Sequence, residues 1–86
     1  MNDQDKKLIF DYLRWEYWAW GIKDFNGNDI LEAVGIMEEM GDMPEFESFC
    51  FSNADKKRIS QFYTFTYLLK NFFQLLADWL KEASHE

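Results

Sequence analysis

The chain has one cysteine, one histidine, one proline and four glycines. A lone cysteine, Cys50, excludes an intrachain disulfide. So little proline and glycine argues against a loop-rich fold. The histidine, His85, is the penultimate residue, where chains fray, so a catalytic pair built on it is not expected. Four-ligand zinc binding fails on the count of His and Cys. No Gly-rich phosphate loop and no GxSxG, HExxH or CxxC is present. No run reaches the ~18–20 apolar residues of a membrane span. The apolar stretch after Lys6-Lys7 is interrupted by Asp11 and Arg14, unlike a signal peptide. A soluble, cytoplasmic, non-enzymatic protein without a cofactor is the expectation.

Basic residues are missing from one third of the chain. Residues 24–55 contain Asp24, Asp29, Glu32, Glu38, Glu39, Asp42, Glu45, Glu47 and Asp55 and no Lys or Arg. The flanking segments are nearly balanced, so this block accounts for the net charge of −7. Direct nucleic-acid binding needs a basic footprint and is disfavoured. Attraction to a basic partner is favoured.

Aromatics are abundant: nine Phe, four Tyr and four Trp. A chain of 86 residues makes one domain, 1–86, and one this short buries only ~60% of its unfolded surface. Each buried aromatic removes ~150–250 Å² from water, enough to support a core without staples.

Periodicity predicts an all-α fold of three principal helices plus one short helix. The central one is a long C-terminal helix, Asp55 to Ala83, without Gly or Pro inside. One apolar row reads Ile59, Phe62, Thr66, Leu69, Phe73, Leu76, Leu80, Ala83, with only Thr66 out of character. A second reads Phe65, Leu68, Phe72, Leu75, Trp79. Steps of three and four place each row along one side of a helix. Two adjacent rows demand cover from more than one neighbour. A straight helix of this length spans ~43 Å, against a radius of gyration of ~12 Å for such a globule. Either the helix breaks or a second chain covers the overhang.

A first helix is predicted from Asp3 or Asp5 to Trp20, stopped by Gly21. Trp18 falls on its polar side, either packed sideways on Arg14 or exposed as an anchor for a partner. Asp24-x-Asn26-x-Asn28 has the start of an EF-hand loop. The required Gly and Glu are replaced by Asp29 and Gly35, so a turn with Asn28 as helix cap is preferred. The second helix is predicted over Asp29–Met40 with Gly41 as its stop, and Gly35 inside it as a point of close helix approach. Asp42 with Glu45 resembles a capping box for a short helix from Pro44 to about Phe51. Ser52 to Asp55 then reads as a polar break. Lys56-Lys57-Arg58 would open the long helix, where positive charge is unfavourable. Cys50, between Phe49 and Phe51, is expected to be buried and inert.

The pattern Phe25-x-x-Asn28-Asp29, Met37-x-x-Met40-Gly41-Asp42 and Phe46-x-x-Phe49, after Tyr12-Leu13-x-Trp15, resembles small accessory proteins of phages and prophages. The likeness spans about half the chain and leaves out the C-terminal helix. It implies an acidic inhibitor of host machinery, as in anti-CRISPR proteins that occupy a basic nucleic-acid channel. It carries no site residues over.

Two functions follow. The first is an acidic binding protein that engages a basic surface through Glu32, Glu38, Glu39, Asp42, Glu45 and Glu47, with Trp18 as apolar anchor. The plain alternative for those carboxylates is a solvated face. The second is a helical adaptor whose long C-terminal helix drives self-association into a homodimer.

Overall fold

The computed structural model describes residues 1–16 and 25–83. Five helices and no strand occur among the described residues. The all-α expectation holds, but the helices are divided differently.

Helix α1 runs Asp3–Leu13. Asn2 caps it, accepting from the Asp5 backbone N–H at 2.8 Å, and Asp3 and Asp5 occupy the first turn, where acids are favoured. The helix stops short of the predicted Trp20 because Arg14 turns left-handed, with φ 60°. The Trp15 N–H then donates back to the Phe10 carbonyl at 3.0 Å. The two rings meet edge-on with centroids 5.6 Å apart, the apolar clasp that accompanies such a terminus. Trp18, Trp20 and Gly21 lie outside the described residues.

Helix α2 is Gly27–Met40. Its cap is Asn26, two positions before the expected Asn28. The Asn26 side chain accepts from the Asn28 and Asp29 N–H groups, and the Asp29 carboxylate accepts from the Asn26 N–H at 2.9 Å. This reciprocal arrangement satisfies more orphan donors than Asn28 alone would. Gly41 ends the helix as predicted, at φ 77°. Gly35 is exposed, and a methyl group in place of its hydrogen would meet nothing within 4 Å, so no helix approaches there.

Helix α3 is Met43–Lys56 and runs through the expected break at Ser52–Asp55. The Asn53 side chain donates to the Phe49 carbonyl at 2.9 Å, and Ala54 is buried, so the polar run stays on the helix. Asp42 makes no side-chain cap, because its carboxylate accepts from the Tyr12 hydroxyl at 2.5 Å. A second left-handed arginine, Arg58 at φ 56°, closes α3, with the Ile59 N–H donating to the Ala54 carbonyl at 3.0 Å. Lys56-Lys57-Arg58 therefore sits at a helix C-terminus, where the dipole favours cations.

The predicted long helix is two helices, α4 (Gln61–Lys70) and α5 (Phe72–Ala83). Ser60 caps α4, accepting from the Phe62 N–H at 3.3 Å. Asn71 separates the two, with φ −113°, and its side chain donates to the Tyr67 carbonyl at 2.9 Å. Such a local side-chain bond competes with the helix ladder. The longest dimension of the molecule, 38 Å, is shorter than the ~43 Å rod the sequence predicts.

Helix α5 is central. Phe72, Phe73, Leu75, Leu76, Ala77 and Trp79 are all buried, against α1 and α3. Ile9, Leu13, Ala33, Met37, Phe46 and Cys50 join them in the core. Phe73 stacks on Phe25 at 4.0 Å, and Trp79 meets Tyr12 edge-on at 5.7 Å. The two ends of the chain are tied by Asp5, a buried carboxylate. Lys81 pairs with it at 2.8 Å and the Gln74 amide donates to it at 3.1 Å. The Lys81 hydrogen bond is the main cause holding the Asp5 carboxyl below its usual range, against the opposing effect of burial.

Candidate docking face

No residue of α4 is buried. The helix lies on α3 and α5 through half-buried Thr64, Tyr67 and Leu68. The opposite side carries Phe62, Phe65, Thr66 and Leu69, spaced as one stripe of a helix. Phe62 is 92% exposed, Phe65 75% and Leu69 58%. Tyr63 and Phe51 widen this surface, both exposed. Phe62, Phe65 and Leu69 were expected inside. They belong to the same apolar rows as Phe73, Leu76 and Trp79, but the interruption at Asn71 separates the outward half from the inward half.

An apolar groove of about 390 Å³ opens beside the stripe, between α2, α3 and α4. Ile30 and Val34 form one wall, Met43 and Cys50 another, and Phe65 and Leu69 the third. Glu47 is the one charged residue of its lining. Cys50 lies in the wall as a protonated thiol, its pKa pushed up to about 12 by burial and then by the charge of Glu47. From Lys56 to Ala77 the chain has no acid and four bases: Lys56, Lys57, Arg58 and Lys70. The face built on α4 is thus apolar with basic ends in a protein of charge −7.

The acidic candidates do not converge. Glu32, Glu38 and Glu39 are exposed on α2, with Glu32 and Glu39 two turns apart on its outer side. Glu47 points to the groove, whereas Asp42 and Glu45 lie towards Tyr12. Burial, the Asp42 hydrogen bond and the charges of Asp42 and Glu45 all raise the Tyr12 hydroxyl above its usual range. Asp42 is half-buried and occupied by that bond. Trp18 lies outside the described residues, as does His85. Among the described residues no three His, Cys, Asp or Glu side chains are grouped to hold a metal ion. No helix among them is long and apolar enough to cross a membrane.

Reading the rows as core missed Phe62, Phe65 and Leu69 as surface. Two signals pointed to them: Thr66 in the middle of the row, and a length of helix greater than the globule. The chain matches no protein-family model, no curated protein and no solved structure.

Proposed function

We propose that this chain is a non-enzymatic interaction module in which α4 is the docking face for a protein. The observation that carries this reading is the outward stripe of Phe62, Phe65 and Leu69. Aromatic side chains this open to water gain from desolvation on contact, and aromatics are enriched at interfaces. Contiguous apolar patches on monomers are ordinarily limited to ~300–600 Å², and larger ones mark contact sites. The scaffold beneath is held by α5 and does not depend on the stripe. A cytoplasmic setting belongs to the same reading, since the single cysteine has no intrachain partner.

The test is photo-crosslinking in the source cell. A photoreactive residue replacing Phe65 should form a discrete protein adduct, and one replacing Leu31, an exposed leucine on α2, should not. Equal adducts from both positions would refute a docking role for α4.

A second reading rests on a separate observation. Glu32, Glu38 and Glu39 are exposed, and no ion pair holds them among the described residues. They fit a basic surface on a partner, such as a nucleic-acid-binding protein blocked in the manner of an anti-CRISPR inhibitor. Reversal of all three to Lys should then abolish binding to that partner at low salt. Binding that survives reversal excludes the electrostatic mechanism.

A further inference from the structure

We propose that the occupant of the α4 face is a second copy of this chain, its α4 lying antiparallel across the first about a two-fold axis between Phe65 and Thr66. This rests on the docking role of α4 and names the partner.

Area is the first argument. An aromatic side chain presents ~150–250 Å² when open, so Phe62, Tyr63, Phe65, Phe51 and Leu69 together present roughly 650 Å². A stable interface buries ~800 Å² per partner. The rim of Gln61, Thr66 and the groove edge makes up the difference.

Register is the second. With the axis between residues 65 and 66, Phe62 of one copy lies opposite Leu69 of the other. Leu69 and Phe65 are also the α4 wall of the groove. Phe62, the most exposed large apolar residue among those described at 92%, is therefore delivered to the mouth of the partner's groove. A space of about 390 Å³ accepts a benzyl group. Phe65 falls opposite Thr66, and the small Thr lets the helices approach. The exchange is reciprocal, so both stripes and both grooves are used at once, as a two-fold interface requires.

Charge is the third. A net charge of −7 opposes any non-specific pairing of copies. The α4 segment is the exception, with four bases and no acid between Lys56 and Ala77. Lys57 and Arg58, just ahead of Phe62, arrive on the groove side of the partner, where Glu47 is the lining charge. Lys70 falls opposite Gln61, so no like charges meet along the paired helices. An anionic lipid surface would also attract the bases, but it would not use the groove or Glu47.

The test is sedimentation equilibrium of the full chain across micromolar to millimolar concentration. Wild type should show a reversible monomer–dimer equilibrium. Phe65→Glu, acting twice at the axis, should weaken it by about 30-fold or more, as loss of a central aromatic anchor does. Leu31→Glu, on exposed α2 surface, should leave it unchanged. Circular dichroism checks that each variant is folded. For the register, Phe62→Cys combined with Leu69→Cys, in a Cys50→Ser background, should give a disulfide-linked dimer on mild oxidation, and Phe62→Cys alone should not. A strict monomer at every concentration overturns the proposal, as does a dimer indifferent to Phe65→Glu. Binding to anionic vesicles by a strict monomer overturns it in favour of lipid. A strict monomer whose Phe65 crosslinks to another protein refutes self-association and leaves the docking role of α4 standing.

Discussion

Phe46 and Phe62 lose the same atoms on replacement by alanine, yet the two replacements should differ by several kcal/mol. Phe46 is 2% exposed. Its ring lies edge-on to Phe72 at 5.5 Å and beside Trp79 at 5.6 Å. Its removal leaves a cavity under the groove, and Phe→Ala at a core site costs ~3–5 kcal/mol. The groove side is open enough for partial collapse, so the lower half of that range, about 3–4 kcal/mol, is expected. A chain of this length has a total stability of roughly 4–13 kcal/mol. At ~4–8 °C per kcal/mol, Phe46→Ala should lower Tm by about 12–30 °C. Phe62 is 92% exposed, and its replacement should fall within about ±0.5 kcal/mol. The assay is urea denaturation followed by circular dichroism, at protein concentrations low enough to suppress association, which would otherwise stabilise wild type by mass action. The slope m should be the same for both variants. A cost above about 1.5 kcal/mol for Phe62→Ala, near what full burial of such a side chain is worth, would refute the outward placement of α4.

Three further outcomes follow from the fold. Asn26→Ala removes the α2 cap and should cost about 1 kcal/mol in the same denaturation assay. Asp5 has a lowered pKa, so its stabilising contribution is complete above the unfolded value of ~3.9 and disappears as pH falls through the lower folded value. Asp5→Asn should therefore be less stable than wild type at pH 7, with the gap closing below about pH 4 in acid titrations. Cys50, with its pKa pushed up to about 12, is almost wholly protonated at pH 8. Its reaction with a disulfide reagent should be orders of magnitude slower in the native protein than in urea, since the thiolate is the reactive form.

The helical class, the Gly41 stop and the buried Cys50 were legible because each depends on local pattern. The α4–α5 interruption was not. Phe62 to Leu80 keeps its three-four spacing straight through Asn71, and spacing says which residues share a side but not what covers that side. The Ser60 cap was not expected, because a lone serine also fits the polar side of a continuous helix. Lys56-Lys57-Arg58 looked misplaced at a helix start and is well placed at a helix end. Arg14 and Arg58 in left-handed conformations have no sequence signature, since glycine is the usual residue there. The acidic candidates on α2 and α3 are exposed side chains, and Asp42, ahead of α3, is half-buried. Their separation around the molecule depends on which way each helix is rotated, and tertiary packing sets that rotation.

Because α4 has no buried residue and lends only half-buried Tyr67 and Leu68 to the packing, its open stripe is made of different residues from those that keep the protein folded. Successive changes along 62, 65 and 69 can remake that surface without first having to be rescued by changes in α5. The same independence predicts that amide exchange will open α4 ahead of the core helices, so this surface can rearrange while the rest of the chain stays closed.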